Sequence, residues 1–389
     1  MSPSGAEPFR GPGEPFVPIG PCRIAPSGID ERSGGTARRN APKDERMTND
    51  DVKTWMDEVR ERTDHALRTY LDEKLLEARQ ISPSSLELVE GIRSLTLRGG
   101  KRLRPIVLQA AMRAVGPERD LGDATAVSAS LEVLQSYLLI HDDWMDQDDE
   151  RRGGPAVHAM YRNDHGEHEA NALAILAGDL ASAYALELIL RTPWGEGQNE
   201  ALGLFIRIQK EVFYGQHLDL TQDPDVARMH DLKTGSYTVR GPLLLGALLG
   251  GATEAQTEAL LAYGNPLGEA FQLADDLIGT FGDSGHTGKP GDDLTHRKRN
   301  GLVAMAEARL EGKAREELST LMNGRGHADE ALVARVASAM VDHGIRSEVE
   351  ARITELLASS EKALDDSGFD PQGVEILRFV ARKLALRTV

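Results

Sequence analysis

Cysteine is nearly missing from this chain: Cys22 is the only one in 389 residues. No disulfide can form within it, which fits a reducing compartment. Aromatic residues are scarce, at 5%, and strand-like alternation is rare, while Ala and Leu dominate many windows. That balance favours helices. Positive charge is also short. Lys and Arg total 45 against 62 Asp and Glu, a formal net charge of −17. A nucleic-acid partner would want a basic face, so that class is disfavoured. Anionic substrates are not excluded, because local basic clusters can sit in an acidic protein. The apolar run LLLGALLGGA, from Leu243, is too short and Gly-rich to span a bilayer. The Pro/Gly-rich start has no apolar segment of the kind a secretory signal needs. These absences predict a soluble cytoplasmic protein without a transmembrane segment.

What is present divides the chain in two. Residues 1–46 are rich in Pro, Gly and Ser and are expected to be a disordered extension, unable to bury enough apolar surface to offset ordering entropy. Within them Glu7-Pro8-Phe9 recurs as Glu14-Pro15-Phe16. The repeat reads as chance, or an upstream extension with Met47 as an alternative start, or a docking peptide whose Phe9 and Phe16 fill pockets on a partner. From Thr48 onward the pattern is helical nearly to the end. Trp55, Val59, Ala66 and Tyr70 recur at roughly helical spacing, and SPSSLELVEG opens with capping serines. Hydrophobic residues make up 40% of the chain, enough for a large core. The simplest architecture is all-α, one large helical bundle over 47–389.

One stretch concentrates charge: HDDWMDQDDERRGGPAVH, His141–His158. Alone, it reads as a solvated helix end. On a helix, however, Asp142 and Asp146 share a face at i,i+4 and Asp143 lies beside Asp146 at i,i+3. Their repulsion becomes useful if divalent cations bind between them. Magnesium takes hard oxygen ligands, one or two carboxylates per ion, with water and phosphate completing its shell. A weak internal echo supplies a second rim: LLIHDD ends at Asp143 and FQLADD ends at Asp276, so Asp275 and Asp276 can close the opposite side. A Mg²⁺-bound polyphosphate would fit between them. Cations for it come from RGGKRLRP, where Gly99 and Gly100 allow close approach of a phosphate and Lys101, Arg102 and Arg104 neutralise it. Arg151, Arg152, Lys233 and Lys289 add to these.

These pieces resemble, in content and order, the all-trans isoprenyl diphosphate synthases (polyprenyl synthetases). The matching motifs are GGKRLRP, LLIHDDWMDQDDERRGGPAVH, AILAGD, GQHLDL, LKT, FQLADD and GDSGHTGKPGDDL, running from about Leu75 to Leu310. The resemblance implies a bundle of the isoprenoid synthase type with a central cavity. It implies Mg²⁺, three ions with substrate bound, held by Asp142, Asp143, Asp146, Asp275 and Asp276. It assigns Lys101, Arg104 and Arg152 to the isopentenyl diphosphate headgroup, with Gln135 in place of a frequent histidine. It assigns Arg151, Lys233 and Lys289 to the allylic diphosphate, and Thr234 and Gln272 to the reaction cavity.

Two further departures stand out. Gly279 occupies the position where the second motif usually carries its last aspartate, and RKRN replaces a GKxT pattern, making Lys298 a weaker candidate. The implied reaction condenses isopentenyl diphosphate with an allylic diphosphate and needs no protein nucleophile, so His141 and His158 are expected to be structural.

Tyr137 lies five residues before Asp142 and Leu138 four before it. In the family this pattern resembles geranylgeranyl diphosphate synthases, with Tyr137 as a floor for the growing chain. A farnesyl or longer product, or a floor on another helix, are the alternatives. A class I terpene cyclase would not need the GGKRLRP site. A non-catalytic partner subunit is favoured only by Gly279. The resemblance also implies a homodimer. Some polyprenyl synthases carry Pro/Gly-rich extensions that load them into encapsulin shells, so residues 1–46 are expected to meet a shell or scaffold partner.

Overall fold

The computed structural model describes residues 47–223, 225–282, 292–325, 328–365 and 367–386. The expectations for residues 1–46, including the doubled Glu-Pro-Phe, and for Lys289 lie outside the described residues.

Helix α1 (Asn49–Ile81) opens on a reciprocal cap: Asp51 N–H donates to Thr48 Oγ1 and Thr48 N–H donates to Asp51 Oδ2. Its buried stripe runs Trp55, Val59, Thr63, Leu67 and Tyr70, so Thr63 and Leu67 complete the face and Ala66 is only half-buried. Helix α2 (Leu86–Leu97) leads into the Gly99–Gly100 turn, whose φ angles of 96° and 150° require glycine. Helix α3 (Leu103–Val115) is buried on every side from Pro105 to Met112 and therefore runs through the core. Helix α4 (Thr125–Asp146) stops at Gln147, which takes a left-handed conformation.

A two-stranded hairpin follows, β1 (Glu150–Arg151) with β2 (Gly154–Pro155). Arg152 and Gly153 form its turn, both at positive φ, as the tightest hairpin connection demands. Short helices α5 (Val157–Met160) and α6 (Arg162–His165) lead to α7 (Glu167–Arg191) and α8 (Gln198–Leu220). After α9 (Val226–His230) the chain winds wider, as a π-helix from Asp231 to Arg240, then returns to α10 (Gly241–Gly250) and the long α11 (Glu254–Phe281). Helix α12 (Asp292–Thr295) and α13 (Gly301–Arg309) flank the end of α11. Helices α14 (Gly312–Met322), α15 (Glu330–Asp342), α16 (Ile345–Ala363) and α17 (Pro371–Ala385) complete the bundle.

The all-α architecture is the one that the helical periodicity predicts. Its core has two lobes that share α3. Ile106 and Ala110 face a lobe with Leu243, Tyr263 and Leu377, while Leu108 and Met112 face one with Leu131, Leu134 and Phe205. Among the described residues, α7 is long and apolar enough to cross a membrane by length and composition, a longer stretch than Leu243–Ala252. Here it lies along α4, with Ala170, Ala174, Ala177, Gly178, Ala181 and Ala185 buried, and Ser130 Oγ donates to the Ala185 carbonyl at 2.7 Å. Small residues on one stripe let the two backbones close up.

The same device joins α3 to α10. A methyl at Gly246 would lie 2.1 Å from the Leu108 carbonyl oxygen, a backbone atom that cannot swing away. Gly246→Ala is expected to cost about 1–3 kcal/mol of stability through overpacking, read as a lowered urea midpoint.

Candidate active site

The ends of α4, α8 and α11, with the π-helix and α12, surround a cavity of about 750 Å³. Asp142 and Asp146 line it, as does Asp219 from the last turn of α8. Lys233, on the π-helix, donates to Asp219 Oδ2 at 2.6 Å and to Asp142 Oδ1 at 3.3 Å. Burial pulls its ammonium towards neutrality, but the carboxylates of Asp142, Asp219 and Asp146 outweigh this, and its pKa is raised above the ordinary lysine value. Lys233 therefore stays charged at neutral pH. Its backbone comes close to α8 because residue 215 is glycine: a Cβ there would sit 2.3 Å from the Lys233 nitrogen.

Asp143 does not join Asp142 and Asp146 on the cavity wall. One residue along a helix turns the side chain by roughly 100°, and Asp143 is fully buried beneath the hairpin. Arg151 Nε donates to Asp143 Oδ1 at 2.7 Å, and Arg151 Nη2 approaches it at 2.5 Å. Burial raises the Asp143 carboxyl to about 6 despite the arginine. Asp143 thus anchors Arg151, which itself lines the cavity, while its buried Oδ2 has no protein hydrogen-bond partner.

The second rim divides in the same way. Asp275 is half-buried and lines the cavity. Asp276 also borders it but is almost wholly buried. It accepts from Gln272 Nε2 at 2.8 Å and from the Gly301 N–H at 3.0 Å. Burial, with the charges of Asp293 and Asp275 adding to it, raises the Asp276 carboxyl to about 7. Thr234, Gln272 and Lys298 line the same cavity.

A basic cluster stands apart from the acidic rims. Arg104 packs over the Tyr237 ring at 4.1 Å, donates to Thr238 Oγ1 at 3.0 Å, and leaves its buried Nε without a protein partner. Tyr237 in turn donates to Gln135 Oε1 at 2.7 Å. Arg152 Nη1 donates to the Gly99 carbonyl at 3.0 Å, and its guanidinium lies 3.7 Å from where a Gly100 Cβ would be. Burial, then crowding by Arg102, Arg104 and Arg151, lowers the Arg152 pKa, while Glu132 opposes. Lys101 is exposed on the adjoining turn.

Arg102, expected as a phosphate ligand, is instead a buried strut. It donates to Asp64 at 2.8 Å, to Glu132 at 2.7 Å and to the Thr96 carbonyl at 2.9 Å.

A smaller, largely apolar pocket of about 290 Å³ opens beside the acidic cavity. Asp142, Lys233 and Thr234 border it on the acidic side, and Tyr237 ties it to the Arg104 cluster. Tyr137 and Leu138 both line it. The Tyr137 ring meets Phe213 edge-on at 5.9 Å and His141 at 4.9 Å. His141 lies against Gly178 of α7, and His158 is buried 3.3 Å from Asp149.

Asp219, Tyr237 and Asp293 are site residues that motif spacing alone does not single out. Asp219 sits within GQHLDL and Asp293 within GDDL, but nothing local distinguishes them from surface carboxylates.

Among the described residues, no three His, Cys, Asp or Glu side chains converge to hold a metal ion unaided. The donor set, separated carboxylates facing one cavity, fits a hard cation that draws the rest of its shell from phosphate and water.

Comparison with known proteins agrees with this arrangement. The family model described as polyprenyl synthetase matches residues 86–340. A short chain isoprenyl diphosphate synthase from Methanothermobacter thermautotrophicus is 33% identical over 282 residues, covering 70% of this chain and 82% of its own. A geranylgeranyl diphosphate synthase from Mycobacterium tuberculosis is 33% identical, covering 73% of this chain and 80% of its own. A crystal structure of geranylgeranyl pyrophosphate synthase from Corynebacterium glutamicum, complexed with isoprenyl diphosphate and magnesium, superposes with a TM-score of 0.79. It is 31% identical and covers 86% of this chain and 99% of that one.

The two members of the first acidic pair should separate experimentally. Asp143→Ala removes the anchor of Arg151 and is expected to cost about 2 kcal/mol in urea titration, the scale of a hydrogen bond to a charged group. Asp142→Ala is expected to leave the urea midpoint near that of the unaltered chain and to lower turnover by about 10²–10³-fold. Equal stability losses in both variants would contradict the division of roles.

Proposed function

The chain belongs to the polyprenyl synthetase family and is a prenyltransferase, and from its site we propose that it extends an allylic diphosphate with isopentenyl diphosphate to geranylgeranyl diphosphate. The observation that carries this reading is the apolar pocket bordered by Asp142, Lys233 and Thr234 on the acidic side and by Tyr237, on which Arg104 of the separate arginine cluster packs. Two diphosphates need two polar centres, and their hydrocarbon parts need one dry space between them.

The allylic C–O bond breaks and its electron pair leaves with the diphosphate. Lys233 and Arg151 are positioned to hold that anion, and Arg104 and Arg152, with Gln135 and Tyr237 beside them, to hold the other diphosphate. The double bond of isopentenyl diphosphate supplies the electrons of the new C–C bond to the allylic carbon. A proton then leaves the adjoining carbon, and the released diphosphate accepts it. Thr234 and Gln272 present oxygen dipoles towards the positive charge in between. Magnesium, held by Asp142 and Asp146 on one rim and Asp275 on the other, would neutralise the departing diphosphate as a Lewis acid. The relative solved with magnesium supports its use here.

Tyr137, backed by Phe213, stands as the floor of the pocket. Exposed apolar residues on the neighbouring helices α7 and α8, among them Leu176, Ile206, Phe213 and Tyr214, support a homodimer. For residues 1–46 the repeated Glu-Pro-Phe supports docking to a shell or scaffold protein. Co-purification lost on deleting them would be the result that reading requires.

Purified chain with Mg²⁺ and isopentenyl diphosphate, offered dimethylallyl, geranyl or farnesyl diphosphate, is expected to yield geranylgeranyl diphosphate as the longest abundant product. Tyr137→Ala is expected to lengthen it. A product unchanged by Tyr137→Ala moves the floor to another residue. No product from any starter would overturn the proposed reaction and revive the partner-subunit alternative.

A further inference from the structure

The hairpin that carries Arg151 and Arg152 is too small to hold its own shape. Its strands are two residues each, Glu150 opposite Pro155 and Arg151 opposite Gly154, and an isolated hairpin is marginal in water. Its turn begins with a residue other than glycine at φ 52°, Arg152, a conformation that the surroundings must enforce. Contacts from outside the hairpin therefore decide where the two arginines point.

Two of these contacts use the arginine side chains themselves. Arg151 is held by Asp143, and Arg152 Nη1 donates to the carbonyls of Gly99 at 3.0 Å and Leu95 at 3.4 Å. Arg98, the residue that ends α2, grips the backbone instead. Its Nη1 donates to the Arg151 carbonyl at 3.0 Å and to the Pro155 carbonyl at 2.7 Å, one on each strand. Its Nη2 donates to Ser94 Oγ at 3.0 Å and lies 3.7 Å from Met160 Sδ, so the guanidinium is itself fixed from α2 and α5. Gly154 leaves the path open, since a Cβ there would lie 2.9 Å from the guanidinium carbon.

The Arg151 carbonyl belongs to the planar peptide between the two arginines, so its direction sets ψ of Arg151 and φ of Arg152 together. Arg98 and Arg152 form a reciprocal clasp, each side chain donating to the backbone of the other's segment. Arg98 borders neither the cavity of about 750 Å³ nor the pocket of about 290 Å³.

We propose that Arg98 is a positioning residue for the isopentenyl diphosphate site: by holding the peptide between Arg151 and Arg152 it aims the Arg152 guanidinium into the cluster with Arg104. The inference rests on the reading of that cluster as the isopentenyl diphosphate site. Arg151 has a second anchor in Asp143, whereas the other ties of Arg152 are made by the very group that must meet the ligand. Loss of Arg98 therefore weakens one substrate selectively.

The test is steady-state kinetics of the full chain with Mg²⁺, varying isopentenyl diphosphate and geranyl diphosphate in turn. Arg98→Met keeps an apolar stem and removes every donor. It is expected to raise KM for isopentenyl diphosphate about tenfold or more, while KM for geranyl diphosphate stays within about threefold. Arg98→Lys keeps a charge that can reach one carbonyl and is expected to fall between Arg98→Met and the unaltered chain. In a chain already carrying Arg152→Ala, adding Arg98→Met is expected to change the isopentenyl diphosphate KM by less than about twofold, because Arg98 acts through Arg152.

Equal rises in both KM values overturn the inference, as does an Arg98→Met effect that persists undiminished beside Arg152→Ala. Unchanged KM values with a lowered urea midpoint also overturn it, since Arg98 would then serve the fold alone. Should Arg98→Met fail to fold, the same split between the two KM values decides the matter in Arg98→Lys. If the unaltered chain does not consume isopentenyl diphosphate, or Arg152→Ala leaves its KM unchanged, the reading of the arginine cluster falls, and this inference with it.

Discussion

The Lys233 ammonium is the interaction on which the site depends. Asp142 and Asp146 from α4 and Asp219 from α8 face one cavity, and carboxylates gathered this way repel. Lys233 reaches two of them directly and is kept charged by all three. It can do so because the chain widens into a π-helix there, a local geometry often found at functional sites. Gly215 lets that segment press against α8. Asp231 and Arg240 pair across the ends of the same segment and brace it. A regular α-helix through these residues would turn Lys233 and Thr234 to different directions.

Each aspartate pair is split between two tasks. At the end of α4, Asp142 borders the cavity while Asp143 is buried under Arg151. At the end of α11, Asp275 is half-buried at the cavity while Asp276 is tied to Gln272 and Gly301. In both pairs desolvation raises the buried member's pKa, and hydrogen bonds from the protein oppose that rise. The buried member costs desolvation energy and in return ties a connecting segment, the hairpin on one side and the α12–α13 connection on the other, to its helix end. A metal ion with only water and phosphate to complete its shell needs few protein ligands but needs them oriented, and this division provides orientation.

The arginines show the same economy. Of the cations in RGGKRLRP, Arg102 takes the left-handed conformation that starts α3, and its guanidinium is consumed by Asp64, Glu132 and Thr96. That strut fixes the turn from which Arg104 emerges beside Tyr237, Gln135 and Arg152. Charge in a motif is therefore not equivalent to charge in a site: alternate residues of one short stretch serve the core and the ligand.

The amino-acid sequence by itself determined the helical class, the order of the motifs and the chemistry that the two acidic and several basic clusters can perform. Periodicity and residue type are local properties, and they survive without coordinates. Only the tertiary structure decided that Asp143 turns away from the cavity and that Asp276, though it borders it, is almost wholly buried, that Arg102 is a strut, that Asp219 and Tyr237 belong to the site, and that Asp293 lies against Gly279. Those outcomes depend on how helices distant in the chain pack together. Burial and close approach between α8 and the π-helix, or between α11 and α12, are set by the whole core and leave no mark in the spacing of any one motif.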